Sequence, residues 1–219
     1  MTRKTFCKAS ALSGMVGVTL LITSFVINPG PGANPTVEEL TSFISQYHSS
    51  VMLGAWLQSV SPILIVIFAL AVVRLAGPTV HFEGQITQLG TVILVMVSLI
   101  EVVFYLGAAN GNPATTGTIC LNLIRATQHL FSMVAAPIVF IPFSVVILRS
   151  RVLSRWFGYA GLALGGLFAL MGLVVLFKPW QYLVDYLSYT QGIWWFAAAT
   201  ALLLRPPKPS SGDANELSL

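Results

Sequence analysis

Two charged side chains, Glu101 and Arg125, stand inside apolar stretches long enough to cross a lipid bilayer. A charge near the membrane centre costs about 2.5–3.5 kcal/mol on insertion scales. A fold that keeps one there supplies a partner, a wet cavity or both. Consecutive apolar helices joined by a short loop pack as antiparallel neighbours. With the third helix ending near Gly107 and the fourth starting near Thr118, Glu101 and Arg125 lie about 9 and 10 Å below one surface, at ~1.5 Å per residue. Opposite charges at one depth on adjacent helices predict an ion pair.

Other polar residues gather around this pair. Asn122, Arg125 and His129 are spaced i, i+3, i+7 and share a helix face, as do Ser98, Glu101 and Tyr105. Gln58, early in the second span, falls near the level of Glu101. Gln58, Glu101, Tyr105, Asn122, Arg125 and His129 are therefore expected to line an outward-facing polar pocket for a small molecule or ion, with His129 at its floor. Intramembrane ionisable groups mark such sites by default, and histidine titrates near neutral pH. The competing expectation is structural: the Glu101–Arg125 pair only locks two helices together, in a subunit that supports or binds another protein.

No catalytic residue is nominated and no enzyme is expected. The chain carries no G-x-S-x-G, H-E-x-x-H, P-loop or dinucleotide fingerprint. Metal or haem ligation needs convergent ligands, whereas the expected topology spreads His48 outside, His81 inside and His129 within the membrane. Neither metal nor cofactor is expected. Cys7 and Cys120 fall near opposite faces, so no disulfide joins them.

The elements that must position these residues follow from composition. Of 219 residues, 56% are hydrophobic and 8% charged, against ~25% charged in soluble domains. The fold class is all-α: a polytopic membrane protein, a six-helix transmembrane bundle with a short amphipathic outer helix. Residues 1–8 are a basic N-terminus, 9–204 the transmembrane domain, and 205–219 a polar tail expected to lack fixed structure. The first apolar run, 9–27, follows a basic start like that of a signal peptide, but is long enough to be retained as a helix. Residues 28–35 form a Gly/Pro-rich turn, and Thr36 with Glu39 forms a capping box opening an amphipathic helix over 36–48.

Further spans are expected at 51–75, interrupted by Pro62, and at 89–108, separated by an inner loop over 77–88. The next, 118–148, exceeds the ~20 residues of a straight crossing, and Pro137 and Pro142 suggest that it is bent, tilted or extended past the inner surface. Spans at 157–177 and 183–204 complete the set, with Lys178, Trp180 and Tyr182 at the outer boundary between them. Gly161 and Gly165 form a GxxxG spacing for close helix approach, within the chain or to a partner helix. Arg3, Lys4, Lys8, Arg74, Arg149, Arg151, Arg155, Arg205 and Lys208 all fall on one side. Only Lys178 falls on the other, which puts both termini in the cytoplasm. The net charge of +4 thus reflects orientation; the bilayer is the expected partner, and nucleic acid is not.

Gly54-Ala55-Trp56-Leu57-Gln58, opening the second span, and Leu153-Ser154-Arg155-Trp156-Phe157-Gly158-Tyr159-Ala160-Gly161-Leu162, leading into the fifth, carry a resemblance. Over roughly residues 10–204 the chain resembles a group of uncharacterised bacterial six-pass membrane proteins, classed as a domain of unknown function. The resemblance implies a bacterial cytoplasmic (inner) membrane and a six-helix fold. It supplies no activity.

Overall fold

The computed structural model describes residues 2–28, 35–177 and 181–205. The central part of the turn over 28–35, Lys178, Trp180 and the tail beyond Arg205 lie outside the described residues, as does the side chain of Tyr182. The chain is all-α, and the described residues contain no strand. Among the described residues there are seven α-helices: α1 (Arg3–Ile27), α2 (Val37–Ala76), α3 (His81–Asn110), α4 (Thr118–Leu130), α5 (Ala136–Ser150), α6 (Arg155–Val175) and α7 (Gln181–Leu204). Among the described residues five helical segments are long and apolar enough to cross a membrane: α1, α2, α3, the segment Pro113–Ser150 that contains α4 and α5, and α6.

The helices pack in a ring. Helix α1 lies between α7 and α2, α2 against α3, α3 against α4 and α5, α5 against α6, and α6 against α7. The centre is aromatic. Phe140 and Phe143 of α5 pack on Trp194 and Trp195 of α7, with Phe168 of α6 stacked on Phe140 and Phe68 of α2 edge-on to Trp195. The Trp194 indole Nε1–H donates to the Phe157 carbonyl at 3.1 Å, so the largest buried side chain brings no unpaired donor with it.

Three features differ from the sequence-based elements, each for a local reason. The amphipathic stretch is helical and opens with the capping box, Thr36 N–H donating to Glu39 and Glu39 N–H to the Thr36 hydroxyl. It is not a separate element, because nothing between His48 and Val51 breaks a helix. Helix α2 therefore runs unbroken for 40 residues, about 60 Å at the usual rise, twice the ~30 Å hydrocarbon thickness. Its projecting end is anchored by Leu40, which is buried against Gly117.

The inner loop over 77–88 is almost wholly helical. Gly77 takes a left-handed φ of 75°, a short 3₁₀ turn spans Pro78–Val80, and α3 starts at His81. The long fourth span is interrupted as the prolines imply, but by a wide π-turn, Phe131–Ala135, between α4 and α5. Proline 137 has no N–H for the Met133 carbonyl and clashes with it in an ideal helix. A π-turn containing Met133 relieves both problems.

One end of the ring collects the basic residues. The guanidinium of Arg74, ending α2, sits 5.4 Å from the Phe6 ring at the start of α1. Arg149, ending α5, pairs with Glu83 in the first turn of α3. Arg149 is 60% exposed, so Arg149→Ala is expected to change stability by less than about 1 kcal/mol. A thermal melt in detergent checks this.

Candidate functional site

Glu101 is held by amides, not by arginine. Its Oε2 accepts from Gln58 Nε2 of α2 at 2.7 Å, and its Oε1 from Gln128 Nε2 of α4 at 3.0 Å. One carboxyl group on α3 therefore ties down both flanking helices. Gln58 is 5% exposed, while Glu101 and Gln128 are half-buried within the bundle surface.

The expected Glu101–Arg125 ion pair is not formed: both carboxyl oxygens accept from the two glutamines instead. Helix α3 continues past Gly107 to Asn110 and the next helical segment starts at Pro113, so the depths set by the expected helix ends do not hold. Arg125 is half-buried and engaged elsewhere.

Of the remaining candidates, Asn122 is exposed, and Tyr105 and His129 are half-buried. Tyr105 lines a cavity of about 20 Å³ together with Asn28, Leu40, His48 and Leu121; Glu101, Arg125 and His129 are not among its walls. That volume is close to the minimum for a single water. His129 Nδ1 is enclosed, with no hydrogen-bond partner among the described residues. The described residues thus show an amide clamp at Glu101 and a small cavity beside Tyr105.

Sequence reasoning missed Gln128, which lies beside His129 and between the residues taken as one face. An uncharged amide in an apolar helix was the available signal, since such a group in lipid must find a partner. Proline explains part of the local setting at Gln58. Pro62 lies four residues on and cannot donate to the Gln58 carbonyl, so the backbone there is less constrained than in an unbroken helix.

The glycine face of α6 is used within the chain. A Cβ on Gly161 would strike the Ser144 hydroxyl and lie 3.0 Å from Trp194, and one on Gly165 would lie 2.8 Å from Ile141. Gly161 and Gly165 are buried within the chain. Cys7 and Cys120 are both buried free thiols. Among the described residues no three His, Cys, Asp or Glu side chains come together in a metal-binding group.

Comparison with protein-family models, with curated proteins and with solved structures finds no match for this chain.

Proposed function

We propose that this chain is a six-span protein of the bacterial cytoplasmic membrane, with both termini on the cytoplasmic side. Its intramembrane carboxyl group is a helix lock, and the protein serves as a structural or partner-binding membrane subunit. The observation that supports this most is the use of both Glu101 oxygens by amides from two other helices. Each oxygen is tied by one amide to a different neighbouring helix, which favours a fixed helix-to-helix tie over a group free to turn toward a ligand.

The sixth crossing is α7, whose 24 residues suffice for the ~30 Å hydrocarbon core. The gathering of Arg74, Arg149, Arg151, Arg155 and Arg205 at one end supports the orientation, and the bacterial inner membrane rests on the resemblance alone. Cysteine labelling tests the topology. Asn112→Cys should react in intact cells and Arg205→Cys only after permeabilisation; the reverse pattern refutes the orientation.

A second reading, binding of a small molecule or ion, is favoured by the enclosed His129 Nδ1, which has no partner among the described residues. One variant distinguishes the two. Gln58→Leu/Glu101→Leu/Gln128→Leu removes every member of the clamp together, so no polar group of it is left unpaired. The lock reading predicts a folded protein that restores the phenotype of a deletion strain. A folded variant that fails to restore it supports a binding role for these groups.

A further inference from the structure

The basic end of the bundle holds a large open groove, of about 1000 Å³, between the start of α6 and the end of α7. Its walls carry Arg151, Ser154, Arg155 and Arg205, above an apolar floor that includes Phe196 and Leu204. All three arginines are exposed, and among the described residues none is paired with a carboxylate. The local backbone creates this arrangement. Arg151 takes a left-handed conformation, with φ 57°, which ends α5 and turns the chain. Val152 and Leu153 are then buried, while Arg151, Ser154 and Arg155 remain on the rim. The Ser154 side chain does not cap α6, so the first N–H groups of that helix are not satisfied by it.

We propose that this groove binds the headgroup of an anionic phospholipid from the surrounding bilayer, with its acyl chains lying on the apolar floor. Charge complementarity selects the ligand. Three guanidiniums at the polar boundary of a bundle, none paired with a described carboxylate, match a phosphodiester bidentately, and basic pockets between membrane helices take such headgroups. The apolar floor selects a lipid over free phosphate. A zwitterionic lipid brings a choline or ammonium group against the arginines and is disfavoured. The nearby groove between α2 and α3 presents a single cation, Arg74, already placed over Phe6.

The conformation of Arg151 offers a test that separates binding from folding. Glycine suits a left-handed helix end better than any side-chain-bearing residue, so Arg151→Gly should leave lipid-free melting unchanged or raised while removing one guanidinium. The probe is dioleoyl phosphatidylglycerol, titrated into the full-length protein in neutral detergent and followed by thermal melting and native mass spectrometry. Phosphatidylglycerol is expected to raise the melting temperature of the wild type, whereas phosphatidylcholine and inorganic phosphate are not. Arg151→Gly/Arg155→Gln should bind phosphatidylglycerol about thirty-fold more weakly, each arginine near an anionic lipid contributing on the order of a five-fold gain. If the double variant does not fold, Arg155→Gln or Arg205→Gln alone should each show about the five-fold loss. Equal stabilisation of wild type and variants overturns the proposal. So does equal stabilisation by phosphatidylcholine, or by phosphate. So does absence of any phosphatidylglycerol effect on the intact chain, as when its own Asp213 and Glu216 hold the arginines.

Discussion

Glu101→Leu is expected to destabilise the folded bundle by about 1–3 kcal/mol, through two interhelical hydrogen bonds lost and two amides left without an acceptor. The unmet amides matter as much as the lost bonds. Gln58 is buried on α2 and has no water to turn to, so its Nε2 carries the cost of desolvation without compensation. Gln128 is half-buried in a membrane-spanning segment, where lipid offers its amide no substitute acceptor. Glu101→Gln should cost less, because the new carboxamide oxygen still accepts from one partner. Reversible unfolding in mixed detergent, or melting followed by intrinsic tryptophan fluorescence, ranks the series. A Glu101→Leu protein as stable as wild type refutes the clamp as a stabilising element.

Gly90→Ala should have an effect of similar or greater size, for a different reason. A Cβ at Gly90 of α3 would lie 2.5 Å from the Ile138 carbonyl oxygen and 2.9 Å from its carbon. Both are backbone atoms and cannot swing away. The approach is possible because Pro142 stands four residues after Ile138 and leaves that carbonyl without its helical donor. The freed oxygen lies against Gly90 of α3, where the missing side chain leaves it room. Alanine forces α3 and α5 apart, at an expected cost of about 1–3 kcal/mol. Gly166→Ala is the matched control. No atom lies within 4 Å of its added methyl, and helix propensity alone makes the change neutral or stabilising by up to about 1 kcal/mol. If both alanine variants behave alike, close packing at Gly90 is not what holds α3 to α5.

The all-α membrane class and the positions of the long helices were legible in the sequence, because apolar length and charge asymmetry report directly on a bilayer. The capping box at Thr36 and Glu39 was legible because its spacing is local. The pairing of Glu101 was not. It depends on where both helices begin and end, and α3 runs on to Asn110 while the next helical segment starts at Pro113. Small uncharged residues such as Ala108 and Ala109 mark no boundary, since they suit both a helix end and its continuation. The unbroken α2 was missed for a related reason: a change from polar to apolar composition at His48–Val51 marks the membrane surface, not a break in the backbone. The fate of the glycine face of α6 was likewise undetermined, since GxxxG spacing says that something approaches closely without saying from which molecule.

The claim on which the account rests is that Glu101 is coupled to Gln58 and Gln128, and not to Arg125. Double-mutant cycles on unfolding free energy measure this directly, with alanine at each position. The expected result is a coupling of about 0.5–1.7 kcal/mol for Glu101 with each glutamine, and none beyond error for Glu101 with Arg125. A strong coupling to Arg125, with both glutamines additive, contradicts it.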